Sequence, residues 1–295
     1  MNQAKWSYFT QKDLSEHFST AYAEQPSNLG ALFSFKTPDQ AIVYEAIEGE
    51  LGAIQVFDGE VSYDDVSQSY RKSVEEVEYA GGVKVTKKFR RNDLYGIVQK
   101  KVRSLARRFR SAREGLGADV FNGAFGATTV ADTLSLCNSA HTSDVGGSNQ
   151  GNSGTTAFSA VAVEATRRLF VAFKDNVDNI IDGHNPDLLI IPTALAEAAY
   201  ELISSSGKVD TANNNANYHK GKYELLVWDN RLTDANNWFF VKKSAMKENL
   251  SFYNWNDTEF MYSGEADTLT SKHAGYMSCN VSAVDWRFIY GHAVS

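Results

Sequence analysis

Residues 70–122 constrain the fold most, because they join a charged, strand-like stretch to one long basic helix. The pair Gly81 and Gly82 separates two polar runs and favours a two-residue turn, in which both central residues need positive φ. The register that follows places Glu76 opposite Lys87, an opposite-charge cross-strand pair. A two-stranded ribbon is marginal alone in water. We therefore expect this hairpin to lie against a neighbouring surface, with an ordinary exposed hairpin as the alternative.

The predicted hairpin is too polar to be core, and the helix after it is longer than a domain of this size usually needs. Both features indicate a chain that assembles with copies of itself. The candidate contacts to a second copy in the hairpin are Glu75, Glu76, Glu78, Gly81, Gly82, Lys84, Lys87 and Lys88.

The long helix is predicted to begin near Asp93, a suitable N-cap, and to end near Asn122, before the break at Gly123. About 30 residues at ~1.5 Å each give a length of roughly 45 Å. Apolar residues recur at spacings of three and four along one face. They are Val98, Val102, Leu105, Phe109, Ala112 and Leu116.

The remaining faces of this helix are strongly basic, with no acidic residue before Glu114. Aromatic residues are not interleaved with the cations and the whole chain has a net charge of −7, so specific nucleic-acid recognition is disfavoured. An acidic segment lies upstream between residues 45 and 65, and we expect the helix to pair with acidic surfaces of the same protein. The basic face comprises Lys100, Lys101, Arg103, Arg107, Arg108 and Arg110.

The rest of the chain predicts an α+β fold with mixed sheets. Hydrophobic residues make up 43% of the 295 residues, which is enough for a substantial core. Helices are expected near 11–24, over 159–176 with Val161, Ala165, Leu169 and Phe173 inward, and over 192–204. Strands are expected at 186–191, 223–228, 238–242, 250–255, 277–281 and 285–290. Residues 146–156, rich in glycine and serine, predict a flexible surface loop.

No catalytic or cofactor-binding motif stands out. The sequence lacks a nucleophile elbow, a phosphate-binding loop and a dinucleotide fingerprint. Cys137 and His141 have a spacing that a metal site can use, but a structural zinc site needs four ligands in paired motifs. We therefore expect no enzyme activity, no cofactor and no metal. The two cysteines indicate a reducing compartment, and no apolar run approaches the length of a membrane span.

The order of these elements resembles a known family. The stretches that carry the resemblance are LGADVFNGAF at 116–125, SAHTSDVGGSNQGNSGTTAFS at 139–159, NPDLLIIPTALAEAAYELI at 185–203, KYELLVWDNRLTDANNWFFV at 222–241 and VSAVDWRFIYG at 281–291. In their order, these stretches are similar to the tailed-bacteriophage major capsid proteins of the HK97-like fold, and within them to the major head subunit (gpT) of Mu-like phages.

The resemblance implies a division of the chain. It comprises an N-terminal arm and lead-in over 1–61, an extended hairpin loop over 62–92, a spine helix and peripheral domain over 93–178, an axial domain over 179–272 and a return to the peripheral domain over 273–295.

The implied function is structural: pentamers and hexamers of one chain closing into an icosahedral shell around double-stranded DNA, which is contacted non-specifically. The subunit would be made and assembled in the host cytoplasm and end in the virion. Scaffold, portal and cement proteins are possible partners, and no membrane is involved. An encapsulin-type nanocompartment shell and an enzyme with an unrecognised site are the alternatives.

Overall fold

A computed structural model of the chain describes residues 3–48, 63, 68–91, 96–144, 146–207, 216–265 and 268–294. Its helices are α1 (Gln3–Ala23), α2 (Leu29–Leu32), α3 (Lys87–Arg91), α4 (Ile97–Asn122), α5 (Ala160–Val171), α6 (Ala196–Ser204) and α7 (Lys243–Asn249). Its strands are β1 (Ser34–Lys36), β2 (Ile42–Glu48), β3 (Gln68–Glu75), β4 (Glu78–Thr86), β5 (Ser153–Gly154), β6 (Leu188–Ile191), β7 (Glu224–Val227), β8 (Trp238–Val241), β9 (Leu250–Glu265), β10 (Thr270–Ala283) and β11 (Ile289–His292).

A four-stranded sheet in the order β1-β9-β10-β4 packs on the long helix α4. Strands β9 and β10 form its antiparallel centre, and β4 pairs antiparallel with β10 along its whole length. Helix α1 lies along α4 and adds Phe18, whose ring contacts those of Phe109 and Phe260. Because side chains from both helices and the sheet interlock here, this part of the core is continuous.

A five-stranded sheet in the order β5-β11-β8-β6-β7 lies at the other end of α4. Successive side chains of a strand point to opposite faces, and both faces are buried here. In β6, Ile190 belongs to the main hydrophobic cluster, whereas Leu189 and Ile191 belong to a second cluster with α5 and α6. This double burial explains the continuous apolar run that predicted the strand, and the prediction is confirmed.

The predicted hairpin around Gly81 and Gly82 is wrong. Both glycines lie inside the single strand β4, where Gly82 is opposite Ala274 and Gly81 is opposite Gly275 of β10. Lys87 and Lys88 begin the short helix α3, so the expected pairing of Glu76 with Lys87 does not form. The partner strand β10 is about 190 residues away in sequence, and the local pattern carries no information about it.

The extended hairpin lies upstream instead. Strands β2 and β3 pair antiparallel, with Val43 opposite Val74 and Glu45 opposite Lys72. Most of the stretch that joins them, 49–67, is outside the described residues.

The long helix is confirmed to end at Asn122, but its predicted start near Asp93 is wrong. The helix begins at Ile97, because Gly96 before it has a left-handed backbone with φ of 62° and acts as the N-cap. Asp93 itself lies outside the described residues. Val98, Val102, Leu105 and Phe109 are buried as expected. Further along, Ala112 is exposed and Arg113 and Glu114 are buried in its place. In a straight α-helix, positions seven residues apart do not stay on the same side of the helix but rotate slowly around its axis. The side that contacts α2 and β9 is therefore the buried one near the C-terminal end, and it carries Arg113 and Glu114.

Helix α5 has the predicted Ser159 N-cap, whose side chain accepts a hydrogen bond from the backbone N–H of Ala162. Its predicted inward face is wrong for Val161, Ala165 and Leu169, which are exposed, Val161 by 75% and Leu169 by 52%. Phe173 is buried as predicted but lies beyond the end of the helix at Val171. The sheet contacts the neighbouring face, which buries Val163 and Phe170.

Candidate assembly surfaces

The hairpin β2–β3 presents aromatic and charged side chains to solvent. Tyr44 is 57% exposed, and the Arg71 guanidinium lies 3.9 Å from the centre of its ring. Ile42 is also exposed. Of the described side chains in the hairpin, only Glu45, Ser69 and Val74 are buried. The exposed residues therefore form a surface that the other described residues of the subunit do not cover.

The root of the hairpin is fixed through Glu45. The Tyr253 hydroxyl donates to the Glu45 carboxylate, and Lys36 Nζ lies 3.3 Å from the same oxygen. Burial and the hydrogen bond to Glu45 raise the pKa of Tyr253, so its hydroxyl stays a donor. This contact joins β2 to the long strand β9.

Lys72 fixes the opposite strand. Its Nζ donates to the backbone carbonyls of Thr129 at 2.6 Å and Ala283 at 3.2 Å. Burial lowers the pKa of Lys72, while the nearby Glu45 carboxylate opposes that shift. Further out, Ser69 Oγ donates to Asp144 Oδ1 at 2.5 Å. Polar bonds at three levels therefore hold the hairpin against the body of the subunit.

The other residues predicted for the hairpin are spread over several elements. Glu75 and Glu76 lie where β3 ends, and Ser278 Oγ donates to Glu76 Oε1 at 2.5 Å. Glu78 and Lys84 lie on β4, and Tyr276 Oη donates to Glu78 Oε1 at 2.6 Å. Glu78 and Lys84 therefore lie in the four-stranded sheet, whereas Glu75 belongs to the two-stranded sheet and Glu76 to the link between β3 and β4, so these residues do not form one exposed loop.

Most of the cations predicted for the basic face of α4 are exposed. Lys100, Lys101, Arg103, Arg107 and Arg108 are exposed. Arg103 Nη2 lies 3.2 Å from His17 Nδ1 of α1. Arg110 is partly buried, with its guanidinium over the Tyr22 ring. No acidic side chain of the described residues forms an ion pair with any of these cations.

Two hollows flank this face and share Ser104 and Arg108. The first, of about 530 Å³, lies between α4 and β4, with Leu105, Phe109 and Met277 among its lining residues. The second, of about 700 Å³, lies between α4 and residues 227–231, and its lining includes Arg107, Arg108, Arg110 and Arg231 with Glu114 and Asp229. We call the two hollows together the basic trough.

A buried polar network around His141 was not predicted from the sequence. His141 Nδ1 lies 2.6 Å from Asp132 Oδ2, and its Nε2 lies 3.1 Å from Asn152 Oδ1. The ring stacks on Trp286 with a centroid distance of 4.5 Å. Because both nitrogens are occupied, His141 is not available to bind zinc. Asn152 is fully buried, so the predicted surface loop over 146–156 is wrong at that residue.

The structure offers no reactive thiol among its described residues. Cys137 and Cys279 are free and buried. Burial raises the pKa of Cys137, and it raises the pKa of Cys279 to about 11. Among the described residues, no group of three or more His, Cys, Asp or Glu side chains is arranged to hold a metal ion. None of the described helices is both long and apolar enough to span a membrane.

Solved structures with the same architecture are phage capsids and related particles. The capsid of a native GTA particle matches with a TM-score of 0.60 at 11% identity, covering 90% of this chain and 89% of that one. The decorated capsid of bacteriophage JBD30 matches with a TM-score of 0.58 at 13% identity, covering 70% and 90%. Microbacterium phage Oxtober96 matches with a TM-score of 0.57 at 13% identity, covering 92% of each chain. The class is therefore that of the HK97-like capsid fold.

A family model described as phage capsid protein matches residues 70–291, and the chain belongs to that family. It is a structural protein of the virion, a major capsid protein. No curated protein sequence matches the chain.

Proposed function

We propose that copies of this chain assemble as pentamers and hexamers into a closed icosahedral shell around double-stranded phage DNA. The observation that carries the proposal is the hairpin β2–β3. It is fastened to its own subunit by Glu45 and Lys72, yet the described residues leave Tyr44 and Arg71 exposed. Because ordering an exposed hairpin costs conformational entropy, a surface of this kind is best explained by contact with a second copy.

The finer assignment rests on the same features. We propose that the chain is a major head subunit of the Mu-like phage type. The hairpin β2–β3, with the strand β4 after it, would take the place expected for the extended loop at 62–92. Residues 93–178 and 273–295 would form the peripheral domain, and residues 179–272 the axial domain. The N-terminal part would then include α1, which packs on α4.

The proposed partners follow from assembly and charge. The chain itself is the principal partner, with scaffold, portal and cement proteins as further ones. Assembly would take place in the host cytoplasm. A net charge of −7 favours weak, non-specific contact with the packaged DNA, because a strongly basic shell would bind phosphates tightly. We propose no enzyme activity, since both thiols are buried and His141 is held by Asp132 and Asn152.

Electron microscopy and light scattering of the purified full-length chain test the proposal. We expect closed shells, tubes or free capsomers. Shells that carry a co-purifying enzyme and no DNA, when isolated from phage-producing cells, would favour the nanocompartment alternative. A persistent monomer, even with the phage's other head proteins present, would contradict assembly.

A double substitution in the hairpin tests its role. Tyr44→Ser with Arg71→Ser removes the uncovered aromatic ring and the cation over it, and we expect particle yield to fall at least tenfold. The subunit should keep its circular dichroism spectrum, because neither side chain is buried. The matched control is Tyr200→Ser with Arg168→Ser, which removes the same two side-chain types from exposed positions elsewhere. Normal assembly of the hairpin variant would show that this surface is not a contact.

A further inference from the structure

The second hollow of the basic trough lies where three separate parts of the chain meet. Helix α4 forms one wall, because side chains three, four and seven residues apart lie on the same side of a helix. Residues 25–28, which join α1 to α2, and residues 227–231, at the end of β7 and beyond it, form the other walls. The side chains that α4 contributes are Ser104, Arg107, Arg108, Arg110, Ser111 and Glu114.

The lining of this hollow is rich in cationic hydrogen-bond donors. Four arginines stand against two acidic side chains, Glu114 and Asp229. Arg231 is held in place from two directions, since its Nη2 donates to Ser111 Oγ at 2.8 Å and its carbonyl accepts from Asn122 Nδ2 at 2.9 Å. The planar fork of a guanidinium matches the oxygens of a carboxylate or a phosphate. The lining therefore favours an oxyanion.

Glu114 narrows the choice of anion. Its side chain is buried, with 6% exposure, and its Oε1 has no hydrogen-bond partner among the described residues. Its Oε2 accepts only a long bond of 3.4 Å from the backbone N–H of Asn28. The terminal torsion of a glutamate is broad and roughly two-fold, so either oxygen can turn toward the hollow. A buried acceptor without a donor costs free energy, and an occupant that donates to it would remove that cost.

Hydrogen phosphate is an anion that both accepts and donates. Its unprotonated oxygens accept from guanidinium groups, and its P–OH group donates to a carboxylate, which is an acceptor only. Sulfate has the same shape but carries no proton at neutral pH, so its oxygens would face the Glu114 carboxylate without a hydrogen between them. The phosphodiesters of DNA also lack a P–OH group. The carboxylate therefore selects a protonated phosphate.

We propose that the second hollow binds inorganic phosphate in its protonated form. Arg107, Arg108 and Arg231 hold the unprotonated oxygens, and Glu114 accepts from the P–OH group. The site goes beyond the proposed assembly function and does not depend on it. Packaged DNA is the other source of phosphate groups near the chain, and the absence of P–OH in its backbone separates the two. Because the bound anion contacts separate parts of the chain, phosphate should also stabilise the folded subunit.

Equilibrium dialysis of radiolabelled inorganic phosphate against the full-length chain tests the site, at neutral pH and constant ionic strength. Arg107→Gln with Arg108→Gln should weaken phosphate binding by about tenfold or more, because charge-assisted hydrogen bonds are lost. The matched control is Lys100→Gln with Arg103→Gln, which removes two exposed cations of the same helix that do not line the hollow. Binding to the control should stay within about twofold of wild type, since salt screens exposed charges at a distance.

Glu114→Gln tests the choice between phosphate and sulfate. Unlabelled phosphate should displace the label from the wild-type chain at a concentration about tenfold or more below that of sulfate. Glutamine has the same shape as glutamate and adds an N–H donor that sulfate can accept, so the preference for phosphate should largely disappear. A role of Glu114 in folding alone would not change the ratio of two affinities measured on one protein. If this variant does not fold, the wild-type ratio and the arginine variant still test the site.

Four results would overturn the proposal. The first is no phosphate binding to the wild-type chain at millimolar concentrations. The second is equal loss in the Lys100→Gln, Arg103→Gln control, which would make the effect one of net charge. The third is equal affinity of the wild-type chain for phosphate and sulfate, which would mean an adventitious ion only. The fourth is a short duplex with 5′-hydroxyl ends that displaces the label at a lower phosphate concentration than inorganic phosphate does, which would assign the arginines to DNA.

Discussion

The ladder β6–β8 and the ladder β2–β3 are both antiparallel, but they are stabilised in opposite ways. In β6–β8 every described side chain is buried, and residues such as Leu189 opposite Phe240 pack into clusters on both faces. In β2–β3 the faces are largely exposed, and polar side chains fix the pair to the body at Glu45 and Lys72. The first ladder contributes burial to the subunit, whereas the second leaves apolar and aromatic surface free.

This difference separates folding from assembly. Burial of apolar area contributes about 25 cal/mol per Å², so the five-stranded sheet that contains β6 and β8 supplies much of the stability of the subunit. The hairpin buries little and contributes little to it. Substitutions in the two ladders should therefore have separable consequences, the first for unfolding and the second for particle formation.

Phe240→Ala should produce the largest loss of stability. Phe240 is fully buried and packs edge-on against Tyr223 with a centroid distance of 4.7 Å. Removing a buried phenyl ring costs about 3–5 kcal/mol in transfer and cavity terms. Urea unfolding of the unassembled chain measures the change in free energy of unfolding. Tyr44→Ala in the hairpin is the matched substitution and should cost no more than about 1 kcal/mol. Equal costs would remove the distinction between the ladders.

The five-stranded sheet should also be sensitive to acid at His292, the last residue of β11. His292 Nδ1 accepts from the backbone N–H of Thr156, so its Nε2–H donates to Thr166 Oγ1 at 2.8 Å. The ring stacks on Trp238 with a centroid distance of 4.1 Å. Burial lowers the pKa of His292 to about 4, because the neutral ring is favoured inside the sheet.

The sign of the pH effect follows from that lowered pKa. The unfolded chain binds a proton at His292 below about pH 6.5, whereas the folded chain does so only near pH 4. Stability is therefore fully present above pH 6.5 and decreases by about 3 kcal/mol as the pH falls to 4. Urea unfolding across this range measures it. His292→Gln does not titrate and is the control, so a parallel acid profile in both proteins would refute the assignment.

The same contrast explains which features were predictable from sequence. Strand β6 was predicted correctly because a strand that is buried on both faces needs apolar residues at every position, which gives a continuous apolar run at 188–191. The end of α4 was also predicted, since Gly123 stops the helix locally. Five of the six cations predicted for the basic face of that helix are exposed, because long cationic side chains keep their charged ends at the surface, and the role of that face stays a prediction.

The predictions failed where the local structure depends on contacts with residues that are far away in the sequence. Gly81 and Gly82 have the composition of a turn, but β10 pairs with them across about 190 residues of sequence. In α5, helical periodicity was correct while the choice of buried face was wrong, because the sheet that contacts Val163 is formed later in the chain. The network of His141 with Asp132 and Asn152 had no signal in spacing at all.

The ladder β4–β10 is intermediate in burial between β6–β8 and β2–β3, and substitutions in it test a smaller difference in stability. β4 has alternating exposure like the hairpin, but its backbone approaches β10 closely at Gly82. A Cβ atom at Gly82 would lie 2.8 Å from the carbonyl oxygen of His273. Gly82→Ala should therefore shift the strand and lower the free energy of unfolding by about 1–3 kcal/mol, measured by urea unfolding.

The adjacent glycine is the matched control. A Cβ atom at Gly81 would lie 3.8 Å from Phe109, an ordinary van der Waals contact, and a strand glycine costs about 0.5–1 kcal/mol relative to alanine. Gly81→Ala should therefore leave stability unchanged or raise it slightly. If these two glycines instead formed a primed turn with positive φ, both alanine substitutions would be destabilising. The difference between the two variants thus distinguishes the continuous strand from the local turn that the sequence alone suggests.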